Sequence, residues 1–142
     1  MDSEYSGTVP PRSASLPWPF SDYDRSMRLI NRTAVGIVGA QPYVDWMNSH
    51  DADANKGMLT VARAQPYGSV FLLPEAEHEE DVQEWVEDNF LMIFEFQLAA
   101  WTEDESLWPA TRDIKSFREW FRVDIHSEVV DVAEDDIEGE EV

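Results

Sequence analysis

The sequence predicts an α+β fold: a small mixed sheet of about three strands, covered by helices, with one long helix over 78–101. Three observations predict it. The stretch from His78 to Trp101 keeps a helical period, with Val82, Trp85, Val86, Asn89, Phe90, Ile93 and Phe96 on one side at a step of about 100° per residue. Asn31–Gly39 and Ser69–Leu73 are short apolar or β-branched runs bounded by glycine and proline. Arg122–Val132 alternates apolar and polar residues late in the chain.

Taken in order, residues 1–30 read as a flexible N-terminal tail. Serine and proline recur there without a period, so the segment buries too little to offset its chain entropy. Within it, Leu16-Pro-Trp-Pro-Phe20 reads as a proline-rich segment whose two aromatic rings pack on a groove or on the chain's own domain. Residues 31–132 read as a single domain. Asn31–Gly39 is its first strand, with Gly36 marking close packing or a bulge; no phosphate-loop lysine follows the glycines. Pro42 opens a short helix that puts Tyr43, Trp46, Met47 and His50 on one face, with Asp45 and Asn48 opposite. His50 then falls at a helix C-terminus, where the dipole favours an imidazole.

Asp51–Gly57 has acidic and amide groups at alternate positions, but its glycine is misplaced for a calcium loop and no acidic residue stands at the twelfth position, so it reads as a turn. Thr60 caps a single helical turn over Val61–Ala64. Ser69–Leu73, ended by Pro74, has the continuous apolar pattern of a buried central strand. It joins the first strand in parallel through a right-handed crossover.

In the long helix, Glu80, Glu84, Glu87 and Asp88 form the exposed side of the first half, while Leu91, Phe94 and Leu98 add apolar groups behind the second. Thr102 and Glu105 have capping-box spacing, and Leu107 with Trp108 plugs the following loop onto the core. Thr111–Phe121 reads as a helix capped by Thr111, with Ile114, Phe117 and Phe121 as its stripe. In the last strand the apolar parity shifts near Ser127, which points to a bulge. Residues 133–142 read as an acidic, disordered C-terminal tail.

Charge is the strongest global feature. The chain carries 10 basic and 30 acidic residues, net −20. Residues 75–142 hold 23 of the acids against 4 basic residues, whereas 31–74 hold 3 of each. Coulomb repulsion opposes contact with nucleic-acid phosphates or an anionic membrane through the acidic half, and a basic protein is steered toward it. No apolar run is long enough to span a membrane. There is no cysteine, so disulfides, thiolate metal sites and cysteine nucleophiles are excluded. With no secretory pattern at the N-terminus, a cytoplasmic protein is expected.

The set Gln41-Pro-Tyr-Val-Asp-Trp46, Phe71-Leu-Leu-Pro-Glu75, Leu107-Trp-Pro109, Phe117 with Trp120-Phe121, and His126-Ser127 resembles a family of small bacterial proteins that carries no catalytic assignment. The resemblance implies one compact cytoplasmic domain and transfers no site residue.

Three groups have chemical potential. Asp124, His126 and Glu128 alternate along a strand and so share a face, a pattern that suits acid–base work or an open metal site but also an ordinary solvated strand face. Asp45 or His50 can complete such a site; Ser127 has the opposite parity and no nucleophile elbow. Asn89 and Gln97, beside the apolar face of the long helix, must find hydrogen-bond partners. Glu95 calls for an ion pair with Arg118 or Arg122. The leading expectation is a non-enzymatic acidic interaction module, without a cofactor, that binds a basic protein through Glu80, Glu84, Glu87 and Asp88, with imitation of nucleic acid as a special case. The alternative is a small hydrolase or metal-dependent enzyme using His126 with Asp124 and Glu128. Oligomeric state is left open.

Overall fold

A computed structural model describes residues 27–50 and 59–142. The Trp18–Phe20 motif and the Asp51–Gly57 turn lie outside the described residues. The elements are β1 (Arg28–Ile30), β2 (Arg32–Gly39), α1 (Gln41–Ser49), α2 (Val61–Ala64), β3 (Ser69–Pro74), α3 (Glu79–Trp101), α4 (Ile114–Trp120), β4 (Phe121–His126) and β5 (Val129–Asp131). The fold is α+β. Among the described residues no helix is long and apolar enough to cross a membrane.

Two compact units are distinguished. One spans Asn31–Val129 and holds a three-stranded sheet of order β3-β2-β4. The other takes in the described residues up to Ile30 together with Val130–Val142. There β1 pairs with β5, and Arg28 donates to Asp131 at 2.6 Å. The Ala133 N–H, and after it Arg28, hold the Asp131 carboxyl below the usual range. Beyond β5 the chain forms no helix or strand.

Both ladders of the three-stranded sheet are antiparallel, which corrects the mixed sheet and its parallel first pair. β2 is central because it alone pairs on both sides; β3, read as a buried central strand, is an edge. The connection through α1 and α2 returns to the end of the sheet it left, since Ile37 lies opposite Ser69, so no crossover is needed there. The chain crosses the sheet's length later. Pro74 lies opposite Arg32 and Phe121 opposite Gly39, and the 23-residue α3, roughly 34 Å long, helps to span the distance between those ends.

The pairing fixes where each strand aims its backbone groups. The Ala40 N–H donates to the Trp120 carbonyl at 2.8 Å, just past the Gly39–Phe121 pair. Bonded pairs alternate in an antiparallel ladder, so Ala34, Gly36 and Val38 bond toward β4, while Thr33, Val35 and Ile37 bond toward β3. Val70 and Leu72 on β3, and Val123 and Ile125 on β4, therefore aim their N–H and C=O groups away from β2. Pro74 shares the outward parity of β3, so its missing N–H removes no ladder bond.

Gly36 pairs regularly with Asp124 and marks no bulge; an added Cβ would meet Asp124 only at ordinary contact, 3.7 Å. Close packing falls elsewhere. A Cβ on Gly68 would collide with the Ile37 carbonyl, and one on Gly39 would stand 2.6 Å from the Tyr43 ring. Near Ser127 the last strand breaks instead of bulging: β4 stops at His126 and β5 restarts at Val129 in the other sheet.

The core joins Val35 and Ile37 of β2, Tyr43 and Met47 of α1, Ile93, Phe94 and Leu98 of α3, and Phe117 and Phe121. The buried side of α3 turns along its length. Val82 and Val86 are buried in the first half; in the second, Phe94 and Leu98, assigned to the back, are fully buried, whereas Phe96 is 41% exposed. The cause is a change of neighbours. The Phe94 ring lies 5.4–6.2 Å from the rings of Phe117, Trp120 and Phe121, and the Tyr43 hydroxyl donates to the Gln97 carbonyl at 2.7 Å.

Several helix ends also differ from the sequence reading. Asp113, not Thr111, caps α4 by accepting from the Ser116 N–H at 2.8 Å, which holds its carboxyl below the usual range. Asp104 caps the 3-10 turn Glu105–Leu107 in place of the expected Thr102–Glu105 box. Thr60 caps α2 as the sequence predicts.

Candidate functional site

A cleft of about 740 Å³ lies between β4 and the helices α3 and α4. β4 supplies one wall. Its odd residues Val123 and Ile125 turn half-buried side chains toward the helices, and their unpaired backbone groups face outward along the edge. The helices supply an apolar lining of Val82, Val86, Ile114 and Phe117. This lining exists because α3 carries small β-branched residues in its first half, where its second half carries Phe94 and Leu98.

Polar groups gather at the rim. The acidic run after Pro74 places exposed Glu77, His78 and Glu79 at the start of α3, with His78 as the N-cap residue. Acids in a first helical turn are favoured by the helix dipole. Arg118 projects from α4 and donates to Glu87 at 2.6 Å. Both members of that pair are more than half exposed, so it contributes about 0–1 kcal/mol. On β4, Arg122 grips Asp124 with two nitrogens at 3.1 and 3.2 Å. Glu79 accepts from Gln83 at 3.1 Å. Among the described residues neither Glu77 nor Glu79 has an ion-pair partner.

The sequence-derived candidates are distributed unevenly about this cleft. Asp124 and His126 border it, and so does Ser127. Glu128 lies past the end of β4, exposed and outside the cleft, and Asp124 is already engaged by Arg122. Among the described residues no three His, Asp or Glu side chains are grouped to hold a metal ion. Asp45 accepts from Gln41 at 2.8 Å on α1, and His50 ends α1 with its ring 5.6 Å from Trp46; neither lines the cleft. Of the acidic face, Glu87 lines the cleft, Asp88 borders a shallower hollow beside α4, and Glu80 and Glu84 are exposed on the same helix.

Glu95 pairs with Arg112 at 3.5 Å, not with Arg118 or Arg122, which are committed to Glu87 and Asp124. Asn89 donates to the Trp85 carbonyl one turn back, at 2.8 Å. Gln97 is fully buried and its side-chain oxygen accepts from the Ser69 hydroxyl, while its amide nitrogen has no partner among the described residues. Burial pushes the Tyr43 phenol up to about 12, against a smaller downward pull from Gln97. Through Tyr43 and Ser69, Gln97 ties α1 and β3 to α3, and none of the three lines the cleft.

Sequence reasoning missed Glu77, His78, Glu79 and Arg118 as site residues. The acidic run and its histidine were visible in the sequence; their place beside the last strand depends on the antiparallel order. Comparison with protein-family models, with curated proteins and with solved structures finds no match.

Proposed function

We propose that this chain is a non-enzymatic interaction module that captures a basic protein partner through its acidic half, in the cytoplasm. The observation that carries the reading is the charge split, 23 acidic against 4 basic residues over 75–142, with Glu77 and Glu79 at the mouth of the cleft and without an ion-pair partner among the described residues. Exposed carboxylates act over distance, so they raise the association rate more than the lifetime of a complex. A partner in this reading presents lysine or arginine near apolar groups. Membership of the bacterial family suggested by the Gln41–Trp46 and Leu107–Pro109 motifs is part of the same proposal.

The test is capture from cell extract at 0.1 M and 1 M salt, with the native chain and with Glu80, Glu84, Glu87 and Asp88 all changed to Lys. Salt shortens the Debye length from about 10 Å to about 3 Å over that range. A partner held by the native chain at low salt, and released both by salt and by the reversal, supports the reading. Capture indifferent to both contradicts it. A second reading draws on one observation, that His78, His126, Ser127 and Asp124 border the same cleft. It is acid–base catalysis at His126, and it requires that His126→Ala abolish a measurable hydrolytic turnover while the fold is retained.

A further inference from the structure

We propose that the free edge of β4 receives an extended segment of the basic partner as an added strand, lying in the cleft with its lysine or arginine residues at the Glu77–Glu79 end. This rests on the reading of the chain as a binder of basic partners. Three features carry it.

The first is the edge. Val123 and Ile125 each aim one N–H and one C=O away from β2, and no described group bonds to them. Phe121, of the same parity, already gives its N–H to the Phe117 carbonyl, so the receptive stretch begins after it. A free edge of this kind is a template for another strand, and main-chain bonds supply sequence-independent affinity. About five ligand residues, roughly 17 Å when extended, match its length.

The second is what flanks the edge. Side chains of an added strand alternate between faces. Those on the inner face meet Val82, Val86, Ile114 and Phe117. Those on the outer face run beside the Arg122–Asp124 pair and His126. The fitting segment therefore alternates apolar residues with polar ones.

The third is the charge at one end. Glu87 and Asp124 are each met by an arginine, so among the described residues the rim acids without an ion-pair partner are Glu77 and Glu79, both at the start of α3. A lysine or arginine beyond the apolar stretch fits there. A second copy of this chain does not, because each copy carries a net charge of −20.

The experiment uses the full chain, labelled for amide NMR, and three capped nonapeptides. The first alternates valine and threonine and ends in two lysines. The second has N-methyl groups on the alternate amides that would face β4. The third ends in two glutamates. The lysine peptide is expected to shift the Val123 and Ile125 amide signals and slow their exchange. N-methylation should weaken binding about tenfold or more through the lost main-chain bonds. Val123→Pro should do the same to the lysine peptide with the β2–β4 ladder intact, and E77K/E79K should weaken that peptide alone. Protection at Val70 and Leu72 in place of Val123 and Ile125, or indifference to N-methylation, overturns strand addition. Protection of Val123 and Ile125 that rises with protein concentration alone assigns the edge to a second copy and also overturns it. Equal binding of the glutamate peptide, with Val123 and Ile125 still protected, overturns the basic-partner reading and leaves strand addition standing.

Discussion

The two edges of the central sheet lie beneath the same helix, yet they are finished differently. Beside β3 the space is filled by rings: Phe71 lies 6.2 Å from Trp85 and 5.7 Å from Phe96. Beside β4 the helix offers Val82 and Val86, and the space stays open as the cleft. The outer faces differ in the opposite sense. β3 exposes Val70 (67%) and Leu72 (49%), whereas β4 presents Arg122, Asp124 and His126. β3 is closed on its inner flank, and Pro74 shortens its set of outward donors. β4 carries charge outside and an apolar trough inside, which is the arrangement an extended ligand can use. An edge is thus made receptive by the side chains beside it more than by the strand's own hydrophobicity.

The largest expected effect tests the core that both flanks share. Phe94→Ala should cost about 3–5 kcal/mol in urea unfolding, through lost transfer energy and a cavity among three rings. A loss under about 1 kcal/mol would break the common-core picture at once. Next come paired prolines on β4. Asp124→Pro removes an N–H bonded toward Gly36 and should cost about 2–3 kcal/mol; Val123→Pro removes an outward N–H and should cost less than about 1. Equal costs would mean the pairing parity is reversed.

A pH titration probes the Tyr43–Gln97 contact, which does not line the cleft. The Tyr43 phenol ionises near 12 when folded and near its ordinary value of 10 when unfolded. Its contribution is therefore complete below pH 10 and lost as pH rises toward 12, a fall of about 2–3 kcal/mol. Tyr43→Phe should flatten that fall in stability measured from pH 9 to 12. Trp85→Ala should cost about 1–3 kcal/mol, since the ring is half-buried against Phe71. The smallest effect is expected at Glu84, exposed on the same helix: Glu84→Ala should change stability by less than about 0.5 kcal/mol. If Trp85 and Glu84 behave alike, the ring does not close the β3 flank.

Sequence periodicity carries local structure further than it carries pairing. α3, α1 with Pro42 in its first turn, and the Thr60 cap are legible because each depends on residues within a turn or two of one another. Phe94 and Phe96 exchanged faces because their burial depends on α4, a partner distant in sequence. The run Ser69–Leu73 looks central because it is uniformly apolar; its edge position follows from β2 pairing on both sides, which no property of the run reports. At the cleft, the alternation of Val123 and Ile125 with Asp124 and His126 was readable. That these apolar residues face an open trough follows only from where α3 and α4 pack.

Amide hydrogen exchange of the free protein tests the two-edge assignment most directly. Along β3, Val70 and Leu72 should exchange fast while Phe71 and Leu73 are protected by their bonds to Val35 and Thr33. Along β4, Val123 and Ile125 should exchange fast while Arg122 and Asp124 are protected through Val38 and Gly36. Protection of Val123 and Ile125 in the absence of any partner would contradict an open β4 edge.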